Sequence, residues 1–479
     1  MNFPAQVRTI LRPGAVVNSN VWPEDARRVH VLCIGGAGMS AVARLALEAG
    51  CTVSGSDAQE GQFLPPLSEA GARIYVGFAR EQLPADADVV VVSTAVRPDN
   101  PEVIAAREAG IPVVHRATAL AGLIGERETI AVAGTHGKTT TTAMSVMALR
   151  GCGEDPAFAV GAAVADLGRN AALGESAAVI EADESDGSFL AYRPRVVLVT
   201  NQEADHLDFY ETAENVTAAF QALVAGMGDD GVLVACADDP GARALAAAAP
   251  CRSVLYGNAE DADWRISDVT TAATGARARV SHARHGELVL ELAVTGAHNV
   301  LNAVGALAAC AELGRDVTGL LSGLSRFHGA SRRFELKGEV DGVSVYDDYA
   351  HHPNELQATL SSARQVAGEG RVIAVFQPHL FSRTKAFAAE FAQALSLADT
   401  ALVLDVYAAR EDLDESVSAE TIVREYTGGD ERVRTAGPRE QLPDEISALA
   451  KPGDIVLLLG AGDIVAESSR VLAALGTRN

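Results

Sequence analysis

The sequence predicts an α/β protein built on parallel sheets, and three observations predict it. Short apolar runs alternate with helix-compatible stretches along most of the chain. Two of those runs end in glycine-rich turns that lead into helices. The length of 479 residues exceeds what one core organises, so two to four domains are expected. Hydrophobic residues make up 48% and charged residues 21%, a globular balance. No apolar run approaches the ~20 residues that cross a bilayer, and the N-terminus shows no basic region followed by an apolar stretch. A soluble, cytoplasmic protein with no membrane partner is therefore expected. Cys33, Cys51, Cys152, Cys236, Cys251 and Cys310 lack zinc or CxxC spacing and read as reduced thiols. The formal net charge of −24 repels polyanions and argues against a nucleic-acid partner. Cations inside motifs, namely Lys138, Arg332, Arg333 and Arg383, gain weight from that background.

Residues 28 to 125 place strands at Val29–Ile34, Thr52–Ser54, Val89–Ser93 and Val113–His115. The first runs into Gly35-Gly36-Ala37-Gly38-Met39-Ser40-Ala41, where Gly36-x-Gly38-x-x-Ala41 fits a dinucleotide fingerprint and the acidic Asp57 follows about 20 residues on. A nucleotide diphosphate is expected there. The fingerprint alone does not separate NAD from another diphosphate, so an NAD-dependent dehydrogenase is an alternative, one that leaves the next motif unexplained.

That motif is Gly134-Thr135-His136-Gly137-Lys138-Thr139-Thr140-Thr141, between a strand at Thr129–Ala133 and a helical stretch at Ala143–Leu149. Backbone N–H groups and the positive end of the helix cradle a polyphosphate, Lys138 adds a point charge at the β/γ oxygens, and the Thr139 hydroxyl is placed to ligate Mg²⁺. ATP is the expected ligand. The spacing departs from the common pattern, since Ala133 stands where its first glycine falls and Gly134 is four residues before Lys138. Two further strands, Ala177–Ile180 and Val196–Thr200, end in Glu181-Ala-Asp-Glu-Ser-Asp186 and Asn201-Gln-Glu-Ala-Asp-His206. Glu181 offers a hard oxygen to magnesium, and His206 a ligand to a second metal or a substrate contact. Residues 276 to 294 alternate as a hairpin around His285-Gly286, and the Gly329–Phe334 stretch is the expected boundary.

The third segment gives strands at Val343–Tyr346, Val372–Phe376, Ala401–Leu404 and Ile455–Leu459. After them stand Asp347-Asp348-Tyr349-Ala350-His351-His352-Pro353 and Phe376-Gln377-Pro378-His379-Leu380-Phe381-Ser382-Arg383-Thr384. Adjacent histidines and a strand-end arginine are poor core material. Arg383 suits a carboxylate, and His351 or His352 suits binding or deprotonating a nucleophile near neutral pH.

Together the strings GGAGMS, SGSD, GTHGKTTTT, EADESDGSF, EADHLD, HNVLNA, SRRFE, DDYAHHP and FQPHLFSRT resemble the Mur ligase family, in order from about residue 30 to residue 410. The resemblance implies three domains: a Rossmann-like domain binding a UDP-sugar (1–126), a central P-loop ATPase α/β domain (127–329) and a Rossmann-like C-terminal domain binding an amino acid (330–479). It implies a ligase, with ATP and Mg²⁺, that phosphorylates the lactyl carboxylate of UDP-N-acetylmuramate and lets the amine of L-alanine attack the acyl phosphate, in cytoplasmic peptidoglycan precursor synthesis. A recycling ligase that joins a murein tripeptide to the same sugar is the near alternative. A monomer or homodimer is implied. Carried over by motif, Gly134, Thr135, His136, Gly137, Lys138, Thr139 and Thr140 bind ATP, and His298, Asn299 and Asn302 match its adenine contacts. Thr139, Glu181 and His206 match the metal sites. Arg333 and Asp348 match residues brought to ATP and substrate on closure. Gly36, Gly38, Met39, Ser40 and Asp57 would lie along the uridine diphosphate, and His352 and Arg383 would face the muramoyl carboxylate or the alanine. Departures from the family pattern are Leu380-Phe381 for its usual Arg-Tyr, Ala408 and Arg410 for its usual Pro and Gly, and no lysine after His206 matching a metal-binding one.

Overall fold

A computed structural model of the chain describes residues 16–272, 274–409 and 411–477. Arg410, one of the departures from the family pattern named above, lies outside the described residues. Two compact units are present. The first comprises residues up to Val269 with Arg277–Ala293 and Asn299–His328; the second comprises Thr270–Ala276, Val294–His298 and the chain from Gly329 on.

The first unit begins with five parallel strands, β1 (Arg28–Leu32), β2 (Thr52–Asp57), β3 (Arg73–Val76), β4 (Val89–Val92) and β5 (Val113–His115), in the order β3-β2-β1-β4-β5. All four valines of β4 are fully buried, as expected of a β-branched strand covered on both faces. Strand order reverses between β1 and β4, which opens a crevice at their carboxyl ends, and the Gly35–Gly38 turn follows β1 at that point. The β3 strand is an addition to the strands expected from sequence. Its half-exposed Arg-Ile-Tyr-Val edge has too little apolar continuity to stand out.

Polar groups also sit in this core. His30 on β1, fully buried, places Nδ1 2.8 Å from Ser54 Oγ and Nε2 2.6 Å from Glu102 Oε2. Ser56 Oγ donates to the same carboxylate oxygen at 3.0 Å, and the Ala79 N–H donates to Glu102 Oε1 at 3.3 Å. Each member of the network is satisfied by another, the condition under which buried polar groups are tolerated.

The second sheet has ten strands, β6 (Thr129–Ala133), β7 (Ala157–Ala159), β8 (Ala171–Ala172), β9 (Ala178–Glu181), β10 (Val196–Val199), β11 (Val232–Cys236), β12 (Arg252–Gly257), β13 (Trp264–Ala272), β14 (Gly275–His282) and β15 (Gly286–Leu292). Their order is β15-β14-β13-β12-β11-β10-β6-β9-β7-β8. Strands β9, β6, β10 and β11 run parallel, so their carboxyl ends lie on one edge. The hairpin expected around His285-Gly286 is β14 and β15, and β13 extends it. In the second unit, β16 (Glu335–Val340) pairs antiparallel with β17 (Val343–Asp348), and β17, β21 (Ile455–Leu459), β18 (Val372–Phe376), β19 (Thr400–Val403) and β20 (Val433–Thr435) follow in parallel. Among the described residues no helix is long and apolar enough to cross a membrane.

Removing one member of a buried hydrogen-bonded network leaves its partners unsatisfied. His30→Leu should therefore lower the first calorimetric unfolding transition, by an amount corresponding to about 1–3 kcal/mol. The double change His30→Leu with Glu102→Leu should recover most of it. A single variant as stable as the parent would show that Glu102 finds other support.

Candidate active site

In the first unit the phosphate loop follows β6 and leads into a helix at Lys138–Gly151. The helix starts five residues earlier than the Ala143–Leu149 stretch expected from sequence, and within it Thr142 and Ser145 turn their hydroxyls back to the carbonyls of Lys138 and Thr141, both at 2.8 Å. Its N-cap, Gly137, has no side-chain cap, which leaves the first-turn N–H groups available to an anion. Gly134 sits at φ +131°, and a Cβ there would lie 2.2 Å from Thr200 Oγ1, so this position admits glycine alone.

The loop is pinned from the carboxyl end of β10. Asn201 Oδ1 accepts from the His136 N–H at 2.8 Å, and Asn201 Nδ2 and Thr200 Oγ1 donate to the His136 carbonyl at 3.1 and 2.6 Å. Thr135 Oγ1 accepts from the Glu203 N–H at 2.9 Å. Lys138 Nζ donates to the carbonyls of Gly134 and Thr135 at 2.7 and 3.1 Å and meets Glu184 Oε2 at 2.9 Å. Burial works against its charge, but Glu184 and Asp183 outweigh it and hold the ammonium above its ordinary pKa. Thr139 Oγ1 donates to Glu181 Oε1 at 3.1 Å, while Glu181 Oε2 accepts from the Gly161 N–H at 2.7 Å. His206 Nε2 lies 3.6 Å from Glu184 Oε1 and 3.7 Å from Asp205 Oδ2. Burial opposes protonation of His206, and these carboxylates raise its pKa despite that. Of the three residues expected at the metal sites, Thr139 and Glu181 pair with each other, while His206 lies against Glu184 and Asp205. Asn299 and Asn302 share one face of the Ala297–Glu312 helix. A Cβ on Gly137 would lie 2.8 Å from Asn302 Oδ1, so Asn302 abuts the phosphate loop.

At the first glycine turn the side chains expected along a diphosphate hold the turn itself. Asp57 Oδ2 accepts from the Gly35 N–H at 2.8 Å. Ser40 is buried, donates to the Ala37 carbonyl at 2.9 Å and lies 3.0 Å from Asn170 Nδ2; the Met39 side chain is buried beside it. Gly36 caps the Ala37–Glu48 helix without a side-chain bond. Beyond the sequence-based candidates, Arg116 Nη2 donates to Asp183 Oδ2 at 2.8 Å and stands 3.5 Å from Asp186 Oδ2. No motif spacing links Arg116 to residues 67 and 70 positions away, and only the fold brings them together.

In the second unit Asp348 Oδ2 accepts from the Phe334 N–H and Oδ1 from the Ala350 N–H, both at 2.7 Å. Burial pushes its pKa up to about 6, against the pull of Arg333 and these N–H groups. Arg332 and Arg333 lie over the Tyr349 ring at 4.8 and 5.3 Å. Arg332 also binds Asp347, with Nε 3.2 Å from Oδ2. His351 Nδ1 donates to the Tyr349 carbonyl at 2.9 Å. Burial, with Arg383 and His379, holds its pKa down to about 3 even though Glu355 faces it. The ring is therefore neutral near pH 7, with Nε2 as an acceptor. His352 caps the Pro353–Ala367 helix and sets its ring edge-on to Phe387 at 5.0 Å. Arg383 is buried on the Phe381–Ala386 helix, and Leu380 and Phe381 are buried beside it, so that departure from the usual Arg-Tyr serves as packing. His298 belongs to the second unit, where a Cβ on Gly296 would meet its ring at 2.6 Å.

Residues 28–128 match the Mur ligase family catalytic domain, 132–310 the Mur ligase middle domain and 332–462 the Mur ligase glutamate ligase domain. The chain is 50% identical over 459 residues to UDP-N-acetylmuramate--L-alanine ligase of Paenarthrobacter aurescens, covering 95% of this chain and 98% of that one. It is also 50% identical over 458 residues to the ligase of the same name from Renibacterium salmoninarum, covering 95% and 97%. Among solved structures it resembles UDP-N-acetylmuramate-alanine ligase of Thermotoga maritima, at 29% identity and TM-score 0.80, covering 93% of this chain and 98% of that one. A murein peptide ligase of Psychrobacter arcticus follows at 26% identity and TM-score 0.71, covering 95% and 99%. With all three domains matched and half the residues shared over nearly the full length, the chain belongs to the Mur ligase family.

Proposed function

We propose that this chain joins L-alanine to the lactyl carboxylate of UDP-N-acetylmuramate at the expense of ATP, giving UDP-N-acetylmuramoyl-L-alanine, ADP and phosphate. The observation that carries the proposal is a phosphate loop with a charged Lys138 beside the Thr139–Glu181 pair, in a chain half identical to enzymes of that name. The same identity favours alanine over the tripeptide taken by recycling ligases.

The triphosphate lies on the open N–H groups of the Lys138–Gly151 helix, and Lys138 exchanges its loop carbonyls for phosphate oxygens. Glu184, relieved of Lys138, remains faced by His206. The Thr139 hydroxyl and Glu181 carboxylate are hard oxygen donors that suit magnesium, which when bound supplies charge neutralisation at the phosphates. A carboxylate is a poor electrophile, so the lactyl oxygen first attacks the γ-phosphorus and ADP departs. The alanine ammonium gives one proton to solvent, and the resulting amine attacks the acyl carbon of the mixed anhydride; the C–N bond forms, phosphate leaves with the C–O bonding electrons, and the surplus proton on nitrogen passes to the departing phosphate. The neutral His351 offers Nε2 as an acceptor to the incoming ammonium. Segments 1–126, 127–329 and 330–479 would hold the UDP-sugar, ATP and amino acid respectively. Arg333, Asp348, His352 and Arg383 would serve the reacting groups from the last.

With ¹⁸O in the lactyl carboxylate, one label should appear in the released orthophosphate per amide formed, and unlabelled phosphate would overturn the proposal. Phosphate release should depend on L-alanine and be much weaker with a murein tripeptide. Lys138→Ala should lower kcat by about a hundred- to a thousandfold, the effect of losing one preorganised charge-stabilising group. Glu181→Ala should abolish magnesium-dependent turnover and leave UDP-sugar affinity, read by calorimetry, unchanged. In the ligand-free protein the carboxyl ¹³C signal that disappears in Asp348→Asn should titrate near pH 6, outside the ordinary aspartate range.

A further inference from the structure

The residues that position the first glycine turn leave one cation unexplained. Arg116 opens the Arg116–Ile124 helix at the carboxyl end of β5, and its guanidinium lies across the first turn of the Ala37–Glu48 helix. A Cβ on Gly38 would stand 2.8 Å from Arg116 Nη1, so a side chain there would displace the arginine. Nη2 is held by Asp183 at 2.8 Å, whereas Nη1, over Gly38, makes no hydrogen bond among the described residues. One half of the fork is anchored and the other half faces the turn.

Two carboxylates against one guanidinium would usually mark a closed structural pair, but their roles differ. Asp183 makes the short contact. Asp186, with its side chain 7% exposed, stands 3.5 Å from Nη2 and has other partners. Thr94 Oγ1 donates to its Oδ2 at 3.2 Å, the Ser188 N–H to its Oδ1 at 3.0 Å, and His115 Nε2 lies 3.5 Å away. His115 Nδ1 accepts from the Ala117 N–H, so the ring carries its proton on Nε2, towards Asp186. Asp186 can therefore release Arg116 without being left unpaired, while Asp183 keeps the fork in place. In a chain of net charge −24, a cation already oriented at an uncapped helix start is what an anionic ligand requires.

We propose that Arg116 binds the diphosphate of the nucleotide-sugar substrate, its guanidinium divided between Asp183 and a phosphate oxygen at the Gly36–Gly38 turn. Asp183 is the positioning residue and Asp186 the group that yields. The proposal rests on the reading that a uridine diphosphate sugar occupies this turn. It distinguishes Arg116 from Lys138, which serves the second nucleotide.

Calorimetric titration of the full chain with UDP, with uridine and, separately, with ADP tests it. Arg116→Ala should weaken UDP binding by about ten- to a hundredfold, the loss of a charge-assisted contact, and should leave uridine and ADP affinities as in the parent. Equal UDP affinity in the variant and the parent would overturn the proposal. Parallel loss of UDP and ADP binding would also overturn it, because it would mean that Arg116 only braces the 182–187 loop. If the parent chain itself failed to bind UDP more tightly than uridine, the underlying reading of the turn would fall, and that outcome is separate from either result with the variant.

Discussion

A lysine ammonium can remain charged among buried groups only if carboxylates replace the water it has lost, and that constraint organises the first unit. Lys138 is boxed by two loop carbonyls and Glu184, with Asp183 close behind. Removing Glu184 from this arrangement would favour neutralising the lysine, and a neutral amine would attract a triphosphate weakly. The geometry that delivers Glu184 therefore matters to the proposed phosphate site as much as the loop does. It comes from the parallel pairing of β6 with β9, which sets the 181–186 carboxylates opposite the loop after β6.

That short acidic segment divides its labour. Glu181 faces the Thr139 hydroxyl, Glu184 faces Lys138 and His206, and Asp183 and Asp186 face Arg116. Each carboxylate is faced by a donor or a cation, Asp183 and Asp186 sharing Arg116, so a dense run of negative charge is locally compensated beside two glycine turns. Arg116 and Lys138 hold the Asp183 carboxyl below the usual range in spite of burial, a sign that the segment and its cations form one electrostatic unit.

Much of this was legible in the sequence, for identifiable reasons. Apolar runs closed by polar residues gave Thr129–Ala133, Val372–Phe376 and Ile455–Leu459 their bounds without adjustment. The phosphate loop was readable because its chemistry requires residue types at fixed spacing. Where the reading fell short, the missing information was spatial. The Thr139–Thr142 run is unpromising helix by propensity and is helical because its start closes the loop. The strand from Thr52 extends through Gly55 to Asp57, since a Cβ on Gly55 would come 2.4 Å from the Val31 carbonyl and only a bare backbone passes there. Ser40 and Asp57 sat in the right motif, yet their side chains support the turn. Glu184, Asn201 and Arg116 carry no local signature, and their meaning comes from partners on other strands.

Asn201 has one more implication. Its amide grips both the N–H and the carbonyl of His136, so the loop's shape is fixed while the chain folds. The conformational entropy of ordering that segment is spent once in the lifetime of the molecule and not once per catalytic cycle. A nucleotide arriving at such a loop meets dipoles already aligned, and its departure leaves them so, which lets successive turnovers begin from the same state.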